Sequence, residues 1–124
     1  MIARRIDHVS FAVRDLSRSL GFYRDVLGLE PAPRPDLGIP GAWLTAGDAQ
    51  VHLIEVPADF EAGSPPPTLN PAAGHAAFGI DDYGAALERL RGHGLEVLAF
   101  GEASGQMWVK DPDGHVIELI SVRR

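Results

Sequence analysis

The stretch Asp7-His8-Val9-Ser10-Phe11-Ala12-Val13 recurs in plan as Gly74-His75-Ala76-Ala77-Phe78-Gly79-Ile80, a shift of 67 residues from His8 to His75. A repeat constrains a chain more than any local signal, because one supersecondary unit must then be built twice. In each copy apolar residues alternate with small or polar ones, the period-two signature of a half-buried strand. His8 meets His75, Ser10 meets Ala77, Phe11 meets Phe78 and Val13 meets Ile80.

The repeat continues past the strand. An aspartate cap opens an amphipathic helix over Asp15–Leu27, with Leu16, Leu20, Tyr23 and Leu27 near one stripe and Gly28 ending it. A second helix starts near Asp81 or Asp82, turns Ala86, Leu87 and Leu90 inward, and stops around Gly92-His93-Gly94. Aspartate before and glycine after are the expected boundaries of a helix. Three strands are expected after each helix: about 30–34, Ala42–Ala46 and Gln50–Val56, then Glu96–Phe100, Gln106–Lys110 and His115–Val122. Tight turns at Gly47-Asp48 and Asp113-Gly114 lead into the last strand of each set. The expected architecture is α+β, with a first βαβββ unit over 1–56, a Pro-rich linker over 57–73 and a second unit over 74–124. Ser64-Pro65-Pro66-Pro67 keeps that linker out of any sheet interior. Neither unit buries a sheet and a helix well alone, so pairing is expected, within one single-domain chain or across a dimer.

A chain of 124 residues with 45% hydrophobic content suits one domain with a proper core. The net charge of -6 argues against nucleic acid as a partner, since phosphate binding needs a clustered basic surface. No stretch approaches the roughly 20 apolar residues of a membrane span, and the start Met-Ile-Ala-Arg-Arg-Ile-Asp-His lacks a signal-peptide core. A cytoplasmic protein is the expectation. Cysteine is absent, so any metal site must use nitrogen and oxygen donors.

The two copies also agree in where they place such donors. His8 and His75 share one position in the first strand of each unit. His52 and Glu118 share one position in the last, VHLIEV lying over IELISV. Singly, a strand histidine is more often a hydrogen-bonded core or edge residue than a ligand. Glu118 between Ile117 and Leu119 is harder to dismiss, because a carboxylate near a core is rarely unpaired. Jointly, four donors at symmetric positions point to a divalent ion such as Zn, Ni, Fe, Co or Mn. His8, His75 and Glu118 make the two-histidine, one-carboxylate set. His52 either ligates or stands behind the ligands and leaves a position open.

DHVSFAVRDLSRSLGFYRDVLGL, GHAAFGIDD and VKDPDGHVIELI together resemble the vicinal oxygen chelate superfamily over nearly the whole chain. Its members include glyoxalase I, methylmalonyl-CoA epimerase, fosfomycin resistance enzymes, extradiol dioxygenases and bleomycin resistance proteins. The resemblance implies paired βαβββ units forming a cupped mixed β-sheet around a metal, a helix packed outside each unit, and a homodimer. The matching ligand positions are His8, His52, His75 and Glu118. Glyoxalase I usually carries glutamate or glutamine where this chain has His52, and epimerases tend to carry glutamine. Fosfomycin enzymes continue with basic and hydroxyl residues, where this chain offers only Arg123 and Arg124.

A divalent ion with open positions takes adjacent oxygens of a small substrate and stabilises the negative charge left by a departing proton. Glu118 is the candidate proton acceptor. The leading expectation is a metal-dependent, glyoxalase-like lyase or isomerase. One alternative is a small extradiol-type Fe(II) dioxygenase using the same ligand set. Another is a metal-free resistance protein that sequesters a ligand against Trp43 and Trp108, although aromatic residues usually serve packing. Tyr23 is expected in the core, His93 at a helix terminus, His115 at the periphery, and Glu55 on the side opposite His52.

Overall fold

Alternation in the first strand dictates two unlike faces, and the computed structural model, which describes residues 1–121, shows both. Strand β1 (His8–Val13) turns Val9, Phe11 and Val13 to a covered face, and leaves His8 and Ser10 exposed on the other. Asp15 Oδ1 accepts the Arg18 N–H and opens helix α1 (Leu16–Leu20). The Leu16 N–H donates to Glu55 Oε2 at 2.8 Å, so Glu55 faces the helix, opposite His52.

The single helix expected over Asp15–Leu27 is not what forms. After Leu20 the chain widens into a π-helical segment, Gly21–Val26, closed by Leu27 N–H donating to the Phe22 carbonyl. The extra residue in that turn rotates the buried stripe, so Ser19, Phe22 and Tyr23 are buried, while Leu16, Leu20 and Leu27 are only partly covered. Phe22 and Tyr23 meet edge to face at 4.9 Å, and Tyr23 stacks on Phe11 at 5.6 Å. Tyr23 is a core residue, as expected.

Strands β2 (Glu30–Ala32), β3 (Gly41–Ala46) and β4 (Ala49–Glu55) complete a four-stranded sheet in the order β1-β4-β3-β2. The β1–β4 pair is parallel and the others are antiparallel. β2 is shorter than expected because Pro33 and Pro35 have no N–H to give a ladder. Val13, Leu44, Val51 and Leu53 are fully buried, each stabilising by about 1.5–3 kcal/mol through lost water contact.

The second sheet repeats the plan. β5 (His75–Ile80) leads to helix α2 (Tyr83–Gly92), capped by Asp82 and ending at His93. β6 (Leu98–Ala99), β7 (Gln106–Lys110) and β8 (Val116–Ser121) follow, in the order β5-β8-β7-β6 with β5–β8 parallel. The fold is α+β, two mixed four-stranded sheets each with its helix. β6 is shorter than expected, lacking Glu96 and Val97 at its start and Phe100 at its end, where Gly101 at φ 96° turns the chain away. Val122, the last residue expected in β8, lies outside the described residues, as do Arg123 and Arg124. Gly28 and Gly94 end their helices at φ 80° and 77°, a conformation costly for any side chain.

By contacts the chain divides into a first unit, Met1–Gly63, and a second from Ser64 onward. Residues 57–73 contain no helix or strand. In the first unit Arg14 donates to the Pro57 and Phe60 carbonyls; in the second, Lys110 Nζ donates to those of Pro66 and Pro67. No helix among the described residues is long and apolar enough to cross a membrane.

Candidate metal centre

The four expected ligands arrive as two pairs, one in each unit. In the second unit, β5 and β8 run parallel with Ala77 opposite Glu118, which sets His75 two residues back on the same face. His75 Nδ1 donates to the Ala73 carbonyl at 2.7 Å, and this leaves Nε2 facing Glu118 Oε1 at 2.9 Å. The other oxygen, Oε2, accepts from Gln106 Nε2 at 3.2 Å. Glu118 is only 6% exposed, so its charge depends on these partners.

Gln106 is itself held from two sides. Its carbonyl accepts from the Tyr83 hydroxyl at 3.0 Å, and its N–H donates to Ser104 Oγ at 3.2 Å. Trp108 lies opposite Glu118 in the ladder and is buried against Phe100, ring centroids 4.5 Å apart. Its indole Nε1 is buried without a partner.

In the first unit the register is the same: Ser10 faces His52, with His8 two residues back. His8 Nδ1 donates to Asp7 Oδ1 at 2.9 Å, which directs Nε2 away from that carboxylate. This bond is the main reason the Asp7 carboxyl sits below its ordinary range. His52 lies between two rings, 3.9 Å from His8 and 4.3 Å from Trp43, nearly parallel to both. Its Nε2 stands 2.8 Å from Gln50 Oε1 and so carries the proton. Burial first, then the nearby His8, pushes the His52 imidazole below its ordinary value; Asp7 opposes them, and Arg34 adds a smaller push downward. A neutral imidazole is the form that ligates.

The donor chemistry fits a divalent ion in the second unit. Neighbouring donors on one ion at about 2.1 Å stand roughly 3 Å apart; His75 Nε2 and Glu118 Oε1 already do. A proton between them serves that gap when no cation does. In the first unit His8 offers Nε2 and His52 only Nδ1, because Gln50 engages the other nitrogen. Among the described residues, no three His, Asp or Glu side chains gather as a metal-holding group.

Asp7, Gln50, Gln106 and Arg34 were missed by pattern reading. The first two were within reach of it, since Asp7 precedes His8 and Gln50 shares the His52 face two residues away. Gln106 needed the β7–β8 register. Of the residues set aside, His93 caps α2 and the His115 N–H donates to Asp111 Oδ1 in the turn before β8. A groove of about 310 Å³ lined by Thr68, Leu69, Glu96, Val97 and Leu98 contains none of the four candidates.

Residues 5–119 match the family described as the Glyoxalase/Bleomycin resistance protein/Dioxygenase superfamily. Glyoxylase I 4 of Arabidopsis thaliana is 33% identical over 92% of this chain and 68% of its own length. The ethylmalonyl-CoA/methylmalonyl-CoA epimerase of Cereibacter sphaeroides is also 33% identical, over 95% of this chain and 98% of its own. Among solved structures, a glyoxalase family protein of Bacillus anthracis superposes with a TM-score of 0.79 at 23% identity, covering 98% of this chain and 97% of that one. At that identity the likeness concerns the fold.

Proposed function

The chain belongs to the Glyoxalase/Bleomycin resistance protein/Dioxygenase superfamily, and from that membership we propose a metal-dependent, glyoxalase-like lyase or isomerase. Its substrate is a small molecule that offers two adjacent oxygens to the ion. The observation that carries this is the facing pair of His75 Nε2 and Glu118 Oε1 at 2.9 Å, with His75 oriented by a backbone carbonyl. His8 and His52, equivalent in register within their own unit, are proposed to complete the donor set, from the same chain or from a second copy in a homodimer.

The ion, when bound, supplies polarisation of the substrate oxygens and stabilisation of the charge that develops on them. The protein's own groups do the rest. Gln106 holds Glu118 Oε2, so Oε1, which faces His75 Nε2, is the oxygen that would ligate or, once released from that partner, take a proton from the carbon beside the substrate carbonyl. Asp7 and Ala73 fix the tautomers of His8 and His75. Glu118 then returns its proton to the neighbouring carbon or oxygen. This balances as an isomerisation.

The test is deuterium exchange. A 2-oxoaldehyde–thiol adduct incubated in D2O is expected to gain deuterium beside its carbonyl only with metal-loaded protein, and not with Glu118→Gln. Exchange that persists in the chelator-treated protein contradicts the proposal. The half-exposed Trp43–His52–His8 stack also suits a flat ligand and so favours a second reading, sequestration without chemistry; tight binding of an aromatic ligand with no exchange would support it.

A further inference from the structure

The most conspicuous unused group in the first unit is the Arg34 guanidinium. Of its donors, Nη2 donates to the Ile39 carbonyl at 2.9 Å, while Nε is buried without a partner. No carboxylate pairs with it among the described residues, although the sequence carries 17 Asp and Glu. Leaving a buried donor unsatisfied costs about 1–3 kcal/mol, which makes the arrangement a poor one for stability alone.

Its position is defined by Gly41. An ideal Cβ there would stand 2.8 Å from Arg34 Nη2 and 3.0 Å from Cζ, so the guanidinium lies where only glycine leaves room. The same Cβ would meet the Leu53 carbonyl oxygen at 2.5 Å. Gly41 has the parity of Trp43, two residues and about 7 Å further along β3, and Trp43 pairs with His52. The guanidinium therefore shares the sheet face of the histidine stack, and its field reaches His52. Pro33 and Pro35 flank Arg34 and stiffen the backbone that presents it.

We propose that Arg34 is the anchor of an anion subsite on this face, and that it takes the carboxylate of a small organic monoacid. A guanidinium's planar edge of N–H donors matches a carboxylate in charge and shape; with Nε closed off by burial and Nη2 donating to Ile39, the Nη1 edge is the one left to meet it. A carboxylate is favoured over a phosphate because a single guanidinium neutralises one negative charge and leaves a dianion under-compensated. That the anchored acid is the substrate rests on the function proposed above; the anion site does not.

The experiment uses the metal-free full chain and ¹H–¹⁵N spectra, in which the Arg34 Nε–H and the Trp43 indole N–H report directly. Pyruvate is expected to shift both signals saturably, and uncharged pyruvamide to bind at least about tenfold more weakly, the loss of one charged hydrogen bond. Arg34→Gln is expected to lose pyruvate binding by a similar factor, while Arg34→Lys keeps part of it. Gly41→Ala, which displaces the guanidinium, is expected to weaken binding with Arg34 still present. Equal affinity for pyruvate and pyruvamide, absence of any saturable shift, or unchanged binding by a folded Arg34→Gln variant would overturn the proposal. Tighter binding of inorganic phosphate than of pyruvate would overturn the choice of carboxylate. Because no metal is present, failure here is distinct from failure of the deuterium exchange.

Discussion

At the scale of single residues, the pairing of side chains decides what each candidate can do. Gln106 supplies the donor to Oε2 of the buried Glu118 carboxylate. Gln106→Leu is expected to destabilise the metal-free chain by about 1–3 kcal/mol in urea; an unchanged midpoint would show that Oε2 finds another donor. His52 is expected to titrate below its ordinary value in ¹H–¹³C spectra, because burial and His8 disfavour its charged form. The unfolded chain then binds more protons than the native one, so this residue's share of stability falls as pH drops through about 6.5 towards the lowered native value. A native His52 titrating at or above 6.5 would contradict the stacked environment. Strand parity was enough to place His8 with His52, and His75 with Glu118, on one face of their own sheets, because parity fixes a face. The partners were less so: Gln106 reaches Glu118 across a register, and Arg34 reaches its face from a loop whose course no pattern encodes.

At the scale of elements, alternation and helix caps carried most of the information. The strands appear where apolar and small residues alternate, and Asp15 and Asp82 cap the helices that follow. The departure is the π-helical segment Gly21–Val26. A straight α-helix would direct Leu27 inward with Leu16 and Leu20. The wider turn keeps Tyr23 inward and brings Phe22 in beside it in place of Leu27, so that two adjacent aromatic rings share the space above β1. Periodicity at 3.6 residues cannot register such an insertion. Phe22→Ala is therefore expected to cost about 3–5 kcal/mol and Leu27→Ala clearly less, read from paired urea melts; the reverse order would restore the straight helix. Glu55 adds a link that parity alone left unassigned. Its carboxylate accepts the Leu16 N–H, so Glu55→Ala is expected to loosen the start of α1 and cost about 1 kcal/mol. Unaltered protection of the Leu16 amide in hydrogen exchange would contradict that role.

At the scale of the whole molecule, the duplication explains why a short chain presents donors in matched positions. Two sheets of one topology carry a histidine on the first strand and a second donor on the last, at the same register. That much follows from the sequence, since a repeat copies its hydrogen-bonding pattern along with its polar positions. How donors from a first and a second unit come to one ion is not encoded in any local pattern, and it is the central proposal. Cobalt(II) titration of the chelator-treated protein tests it most directly, followed by absorption spectroscopy and with His8→Ala and Glu118→Gln as variants. A shared ion predicts that both substitutions weaken cobalt binding and alter the spectrum of the same saturable site. Cobalt binding and spectra that respond to Glu118→Gln but are unchanged in a folded His8→Ala variant would contradict it.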